Sequence, residues 1–209
     1  MSRHARTERA ALADLLLALG PDAPTINEGW AARDLAAHLV VRERRPDAAA
    51  GALLPPLRGH NSRVQRSMAE QPFPELIAQL RRPPWWSPVS NPLADETANT
   101  IEFVVHHEDL RRAQPDWQPR DLPADLNAAL WARLPLLARL ALRGFGARVR
   151  LRAPGYGETA VGSGDETVRV IGAPAELLLF FFGRQRVARV QVDGDEALVA
   201  RLQSVSPGI

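Results

Sequence analysis

Glu102 and His106 stand four residues apart in ANTIEFVVHHEDLRRAQ, residues 98–114, and Asp109 follows three residues later. On a helix, positions i and i+4 share a face with Cβ atoms ~6 Å apart. A carboxylate oxygen and an imidazole nitrogen can then converge on one point, which is part of a site for a divalent cation. Asp109 is spaced to accept the proton of the imidazole nitrogen turned away from such an ion, the arrangement that orients metal-binding histidines. His107 projects about 100° round the helix, over Phe103, and belongs to a different face.

Two donors from one helix do not complete a site, and a third should come from a facing helix. The chain has five His. His4 lies near the terminus and His60 follows a loop glycine, whereas His38 sits in WAARDLAAHLV, where Trp30, Asp34 and His38 recur every fourth residue. Among Leu35, Leu39 and Val40, His38 is expected to be half-buried and to point into a helical bundle, where metal sites are commonly built from facing helices. Each feature alone has a plainer reading: a surface ion pair, a satisfied core histidine, a solvated Asp34, a core Trp30. Together, with Asp109 behind His106, they strengthen the metal reading beside these plainer ones, which stay open.

Helical periodicity predicts helices over 4–19, 30–45, 61–70, 74–82, 95–113 and 124–143. Pro46 ends the second, and Pro135 is expected to kink or divide the last. Residues 47–59 read as a Pro/Gly/Ala-rich connection. A long loop before residue 95 carries the adjacent Trp85 and Trp86, expected to pin the loop onto the bundle, with a lid over the cleft as the second reading. Beyond Gly144, RVRLRAP, TVRVIG and VARVQVDGD alternate in period two, with turn signals at GYGE and GSGDE. PAELLLFFFGR reads as a buried helix and DEALVARLQ as a short final one. These signals predict a mainly α chain, with a helical bundle over 1–143 and a small α+β domain over 144–209.

Composition narrows the chemistry. The 209 residues are 45% hydrophobic, enough for a sizeable core. No apolar run approaches the ~18 residues of a membrane span, and the first residues lack the apolar stretch of a signal peptide, so a cytoplasmic protein is expected. Cysteine is absent, which removes disulfides, thiolate ligands and a cysteine nucleophile. Any thiol in the chemistry must come from outside the chain. Lysine is absent too, so all 26 basic residues are Arg and the formal charge is only +2. The isoelectric point of 10.2 reflects arginines that do not titrate. The basic run 139–152 straddles the expected domain junction and is expected to solvate or bridge it; nucleic acid is not an expected partner.

The pattern W-x3-D-x3-HL at Trp30, Asp34 and His38, followed by E-x3-H-x2-D at Glu102, His106 and Asp109, resembles the DinB-like superfamily. Its nearest branch is similar to the N-terminal domain of mycothiol-dependent maleylpyruvate isomerases. EFVVHHEDLRRAQPDWQPR resembles an actinobacterial metal-binding branch in which an FVHHED-RRAQ string is a hallmark. VIGAPAELLLFFFGR and VQVDGD resemble the small C-terminal domain of the isomerases. The resemblance covers the whole chain and implies an up-and-down four-helix bundle followed by that domain. It also implies a divalent metal on His38, Glu102 and His106, and a catalytic role for Arg184.

Two His and one Glu suit zinc first, with nickel, iron or manganese also compatible, and they leave a coordination position open. A metal there can activate a bound thiol or water at neutral pH. The resemblance therefore implies a transferase or isomerase that uses a low-molecular-weight thiol such as mycothiol, acting on a small molecule. A carboxylate on the substrate could be held by Arg184, or by Arg111 and Arg112; the plainer role of the last two is to favour the helix C-terminus. A hydrolase using metal-bound water, and a non-enzymatic metal- or ligand-binding protein, are the alternatives. Homodimerisation through helix faces is a further expectation from the superfamily.

Overall fold

The structure is a computed structural model describing residues 4–49, 51, 55–91 and 95–205. Parts of the 47–59 connection and of the loop before residue 95 lie outside the described residues. The chain divides into two compact units, Met1–Gln118 and Pro119–Ile209.

The first unit is helical: α1 (His4–Leu19), α2 (Ala32–Arg44), the short α3 (Pro46–Ala49), a 3-10 turn (Pro55–Leu57), α4 (Arg58–Ala69), α5 (Phe73–Arg81) and α6 (Asp95–Arg111). Its core gathers Leu12 and Leu16 of α1, Leu35 and Leu39 of α2, Leu76 and Leu80 of α5, and Phe103 and Leu110 of α6. The helical repeats in the sequence thus mark the packed faces. Asp34, in the first turn of α2, accepts a hydrogen bond from the Ala31 N–H at 2.9 Å, satisfying one of the donors left over where α2 begins. Arg42 and Arg44 occupy the last turn of α2, where a cation opposes the helix dipole.

The second unit comprises α7 (Ala124–Ala141), β1 (Arg148–Ala153), β2 (Gly157–Val161), β3 (Thr167–Ile171), α8 (Pro174–Phe181), β4 (Gln191–Asp193) and α9 (Glu196–Gln203). The four strands run in the order β2-β1-β3-β4, with β1 parallel to β3 and the outer pairs antiparallel. Along β1, Val149, Leu151 and Ala153 face the core and Arg148, Arg150 and Arg152 face out. Strand β2 lay in what the sequence presented as turns, and β4 is shorter than VARVQVDGD suggested. Gly162, between β2 and β3, has φ +77°, and a Cβ there would meet the Ala147 carbonyl oxygen at 2.4 Å, so only glycine fits.

Helix α7 belongs to this second unit. Its leucine repeat groups it with the bundle in sequence, yet Leu134, Ala138 and Ala141 pack with Leu151, Val168, Leu177 and Phe181. The division therefore falls ahead of α7 and not at 143/144. Pro135 does not divide the helix. Burial of Leu126, Leu130, Leu134 and Ala138 along one face offsets the backbone bond that proline removes.

Leu134 is fully buried and Leu136, two residues on, is 64% exposed. Leu134→Ala is expected to destabilise the protein by about 2–5 kcal/mol, and Leu136→Ala by no more than ~0.5 kcal/mol. Denaturant titration of the two variants beside the parent checks this. Equal effects would mean that α7 does not pack as described.

Candidate metal centre

Helix α6 is buried from Phe103 to Leu110, although that stretch contains His106, His107, Glu108 and Asp109. Buried polar groups need partners, and their partners define the site. His106 Nδ1 lies 2.8 Å from Asp109 Oδ2, and its Nε2 lies 3.2 Å from Glu102 Oε1. From α2, His38 Nε2 lies 3.3 Å from the same Glu102 oxygen. The rings of His38 and His106 meet edge-on with centroids 5.0 Å apart, and Trp30 flanks His38 at 5.2 Å.

One donor atom from each of His38, Glu102 and His106 falls within 4.8 Å of the other two. Ligand atoms ~2.1 Å from a tetrahedral ion lie ~3.4 Å apart, close to both His–Glu separations of 3.3 and 3.2 Å. The donor set of two imidazoles and one carboxylate is that of a site with an open fourth position. Geometry and chemistry both fit a divalent cation.

Further contacts hold this set in place. Asp109 is fully buried, and its Oδ2 also accepts from Asn27 Nδ2 at 2.9 Å. The Ile26 N–H donates to the Asp109 carbonyl oxygen at 2.9 Å, capping a carbonyl in the last turn of α6. The loop ahead of α2 is thus tied to the end of α6. Near Glu102, Arg42 Nε lies 3.4 Å from Oε1, and Arg42 Nη1 donates to Asn99 Oδ1.

Charge is unevenly spread over the cluster. Burial opposes ionisation of Glu102, but hydrogen bonds from His106 and His38, with the charges of His106 and Arg42, hold its pKa well below the usual carboxylate range. Burial also lowers the His106 pKa, yet hydrogen bonds to Asp109 and Glu102 and the charges of both raise it to about 9. At His38 burial prevails over the Glu102 hydrogen bond, and the pKa is lowered. Without a metal, the cluster at neutral pH is an ionised Glu102 with a protonated His106 and a neutral His38.

The other residues singled out in the sequence lie elsewhere. His107 is buried with Nδ1 3.1 Å from Glu8 Oε2 of α1, away from the donor set. Arg111 and Arg112 both bind Glu108, at 3.1 and 2.6 Å, and Arg112 lies over the Trp117 ring. They brace the end of α6. Arg184 follows α8 in the second unit, where its guanidinium donates to the Phe182 carbonyl oxygen. Trp85 is 81% exposed and Trp86 is exposed as well, so the indoles do not pin their loop; the buried Ser90 does, donating to Glu43 Oε1 at 2.6 Å and accepting from Asn99 Nδ2 at 3.1 Å. Arg42, Asn99 and Asn27 were not singled out in the sequence. Only Arg42 had a local signal, its place four residues after His38 in HLVVR.

No family model and no curated protein matches this sequence. Among solved structures, the chain is similar to mycothiol-dependent maleylpyruvate isomerase, with a TM-score of 0.60 and 18% identity over 91% of each chain. A histidine-to-alanine variant of that isomerase matches with a TM-score of 0.59, also at 18% identity over 91% of each chain. The chain therefore has the fold of mycothiol-dependent maleylpyruvate isomerase, a mainly helical fold with a small four-stranded sheet.

Proposed function

We propose that this protein binds a divalent metal at His38, Glu102 and His106 and uses it, with a low-molecular-weight thiol of the mycothiol type, as a transferase or isomerase of a small molecule. The observation that carries the reading is the convergence of three donor atoms from α2 and α6, with His106 oriented from behind by a buried carboxylate. Zinc suits the donor set best. The fold shared with a mycothiol-dependent isomerase supports the thiol, and the absence of cysteine means that the thiol is a diffusible one. The same proposal includes a DinB-like up-and-down four-helix arrangement for the ligand-bearing helices and an isomerase-like role for the C-terminal unit.

A bound divalent ion would supply a Lewis acid that lowers the pKa of a coordinated thiol into the neutral range. The chain's residues set the conditions for that. Asp109 accepts a hydrogen bond from His106 Nδ1–H, fixing the tautomer so that Nε2 is the donor atom to the metal. Asn27 holds the Asp109 carboxylate in turn. Trp30 covers one side of His38. Glu102 supplies the anionic donor, ionised despite its burial.

Elemental analysis tests the site. One metal per chain is expected in the parent and in His107→Ala, and loss of metal in His106→Ala. Metal retained in His106→Ala, or absent from all three after reconstitution at neutral pH, rejects the centre. Conjugation of mycothiol to an electrophile by the metal-loaded protein then tests the thiol. Ester hydrolysis without thiol would instead favour the hydrolase.

Metal and proton compete for His106. Its folded pKa of about 9 exceeds the ordinary 6.5. The metal-free protein therefore has the full benefit of protonated His106 below about 6.5 and loses it as pH rises through about 9. Metal binding expels that proton, so affinity is expected to rise about tenfold per pH unit in this window. Thermal unfolding should show the metal-free protein losing stability from pH 6.5 to 9 while the metal-saturated protein, which carries no proton on His106, holds its stability nearly level. A metal affinity independent of pH would contradict the assignment of His106.

Arg184 has its own test within the proposal. Arg184→Gln is expected to lower turnover at least tenfold with metal content unchanged. Unaltered turnover would leave it only its bond to the Phe182 carbonyl.

A further inference from the structure

The second unit carries a surface that the metal reading leaves unused. The basic run 139–152 does not straddle a junction: it spans the end of α7 and most of β1, wholly within this unit. Its Arg148, Arg150 and Arg152 alternate along β1 and point away from the core that Val149 and Leu151 enter. On neighbouring β3, Arg169 points the same way and stands in register with Arg150. Adjacent strands lie ~4.8 Å apart, so these two side chains rise together from the middle of the sheet. Like charges on neighbouring strands cost stability. None of the four arginines makes an ion pair or a side-chain hydrogen bond among the described residues.

The carboxylates on the same face do not cancel this charge. Glu158 stands beside Arg152 on β2 and Asp193 beside Arg169 on β4, both on outer strands. Asp193 is taken by Gln191, whose Nε2 lies 3.0 Å from each of its oxygens. Glu158, and Asp165 and Glu166 in the turn ahead of β3, pair with none of the four. Acidic residues thus border a basic stripe that runs along β1 and onto β3.

That outline selects the partner. A nucleic-acid duplex or a membrane would spread across the stripe and meet its acidic borders. A single nucleic-acid strand binds through aromatic platforms, and none of the four strands contains an aromatic residue. An extended peptide is narrow enough to lie between the borders. Its alternate side chains repeat every ~6.6 Å, the spacing of Arg148, Arg150 and Arg152 as well. Carboxylates at positions i, i+2 and i+4 would each meet one guanidinium, a pairing that can be bidentate. No three acidic residues of this chain stand at alternate positions, so the segment belongs to another protein.

We propose that the outer face of this sheet docks an extended acidic segment of a partner protein, with Arg150 and Arg169 at its centre. The inference is independent of the metal reading.

The test uses the whole chain and two fluorescently labelled peptides of one composition, one alternating Glu with Thr and one with the same residues in two blocks. Fluorescence anisotropy measures both affinities. The parent is expected to bind the alternating peptide roughly fivefold more tightly than the block peptide. Arg150→Thr, a residue suited to an exposed strand position, is expected to weaken the alternating peptide about tenfold. Arg186→Thr removes the same charge between α8 and β4, outside the sheet, and is expected to leave that affinity unchanged. Should thermal unfolding show that Arg150→Thr does not fold, Arg169→Thr takes its place with the same expectation. Equal affinity for the two peptides overturns the proposal, because the face would then read net charge alone. Full affinity in the folded Arg150→Thr or Arg169→Thr overturns it, as does a parent that binds neither peptide. Tighter binding of a single-stranded oligonucleotide or of phosphatidylserine vesicles, lost in Arg150→Thr, would assign the face to that partner and overturn it too.

Discussion

The burial of polar side chains on α6 is the constraint from which much of the first unit follows. Asn99, Thr100, His106, His107, Glu108 and Asp109 all lie out of solvent, and each would be costly there without a partner. Thr100 is satisfied within the helix by the Glu96 carbonyl oxygen. Glu108 is satisfied at the end of α6 itself by Arg111 and Arg112. The others reach other elements: Asn99 to Arg42 of α2 and the Val89–Ser90 loop, His106 through Glu102 to His38 of α2, His107 to Glu8 of α1, Asp109 to Asn27. Apolar packing brings the helices together, and these pairings fix how they are rotated and offset. An apolar α6 could slide against its neighbours at little cost; this one cannot.

The same constraint couples folding to chemistry. His106 and Glu102 are held without a metal, because Asp109 and Arg42 supply compensating charge, so the donor atoms are brought together by the fold itself. The cost is competition, since the proton that stabilises the cluster is the one that the proposed metal would have to expel. Arg9 joins the arrangement from α1, bonded to Glu43 and Asp95 and stacked on Phe103 at 4.5 Å. It ties both ligand-bearing helices to α1.

Much of this was legible in the sequence, for local reasons. Helical periodicity located the main helices because their buried faces repeat. Glu102, His106 and Asp109 were legible because i, i+4 and i, i+3 spacings define a face within one helix. His38 followed by elimination among few histidines and by its apolar neighbours. What was not legible depends on distant pairing. Asn99 meets Arg42 across 57 residues and Asn27 meets Asp109 across 82, and nothing local marks either. Arg42 shared the face of His38 but was one arginine among 26. The leucine repeat of α7 declared a buried face without saying which core would receive it. Strand β2 eluded the pattern because most of its side chains face solvent, leaving no alternation to read.

The tie between the loop ahead of α2 and the end of α6 bears on how such a chain can diversify. A one-residue slip of a helix moves a ligand by ~1.5 Å, whereas coordination tolerates only ~0.2 Å. The bonds from Ile26 and Asn27 to Asp109 set the two ligand helices in register from the N-terminal side of α2. Insertions or deletions between Gly20 and Ala31 therefore strike at the centre itself. Among the described residues, Val89 and Ser90, on the other side, constrain α6 only through Asn99, roughly three turns from Asp109. The short loop before α2, which grips the end of α6 directly, is where the lineage has least freedom to edit.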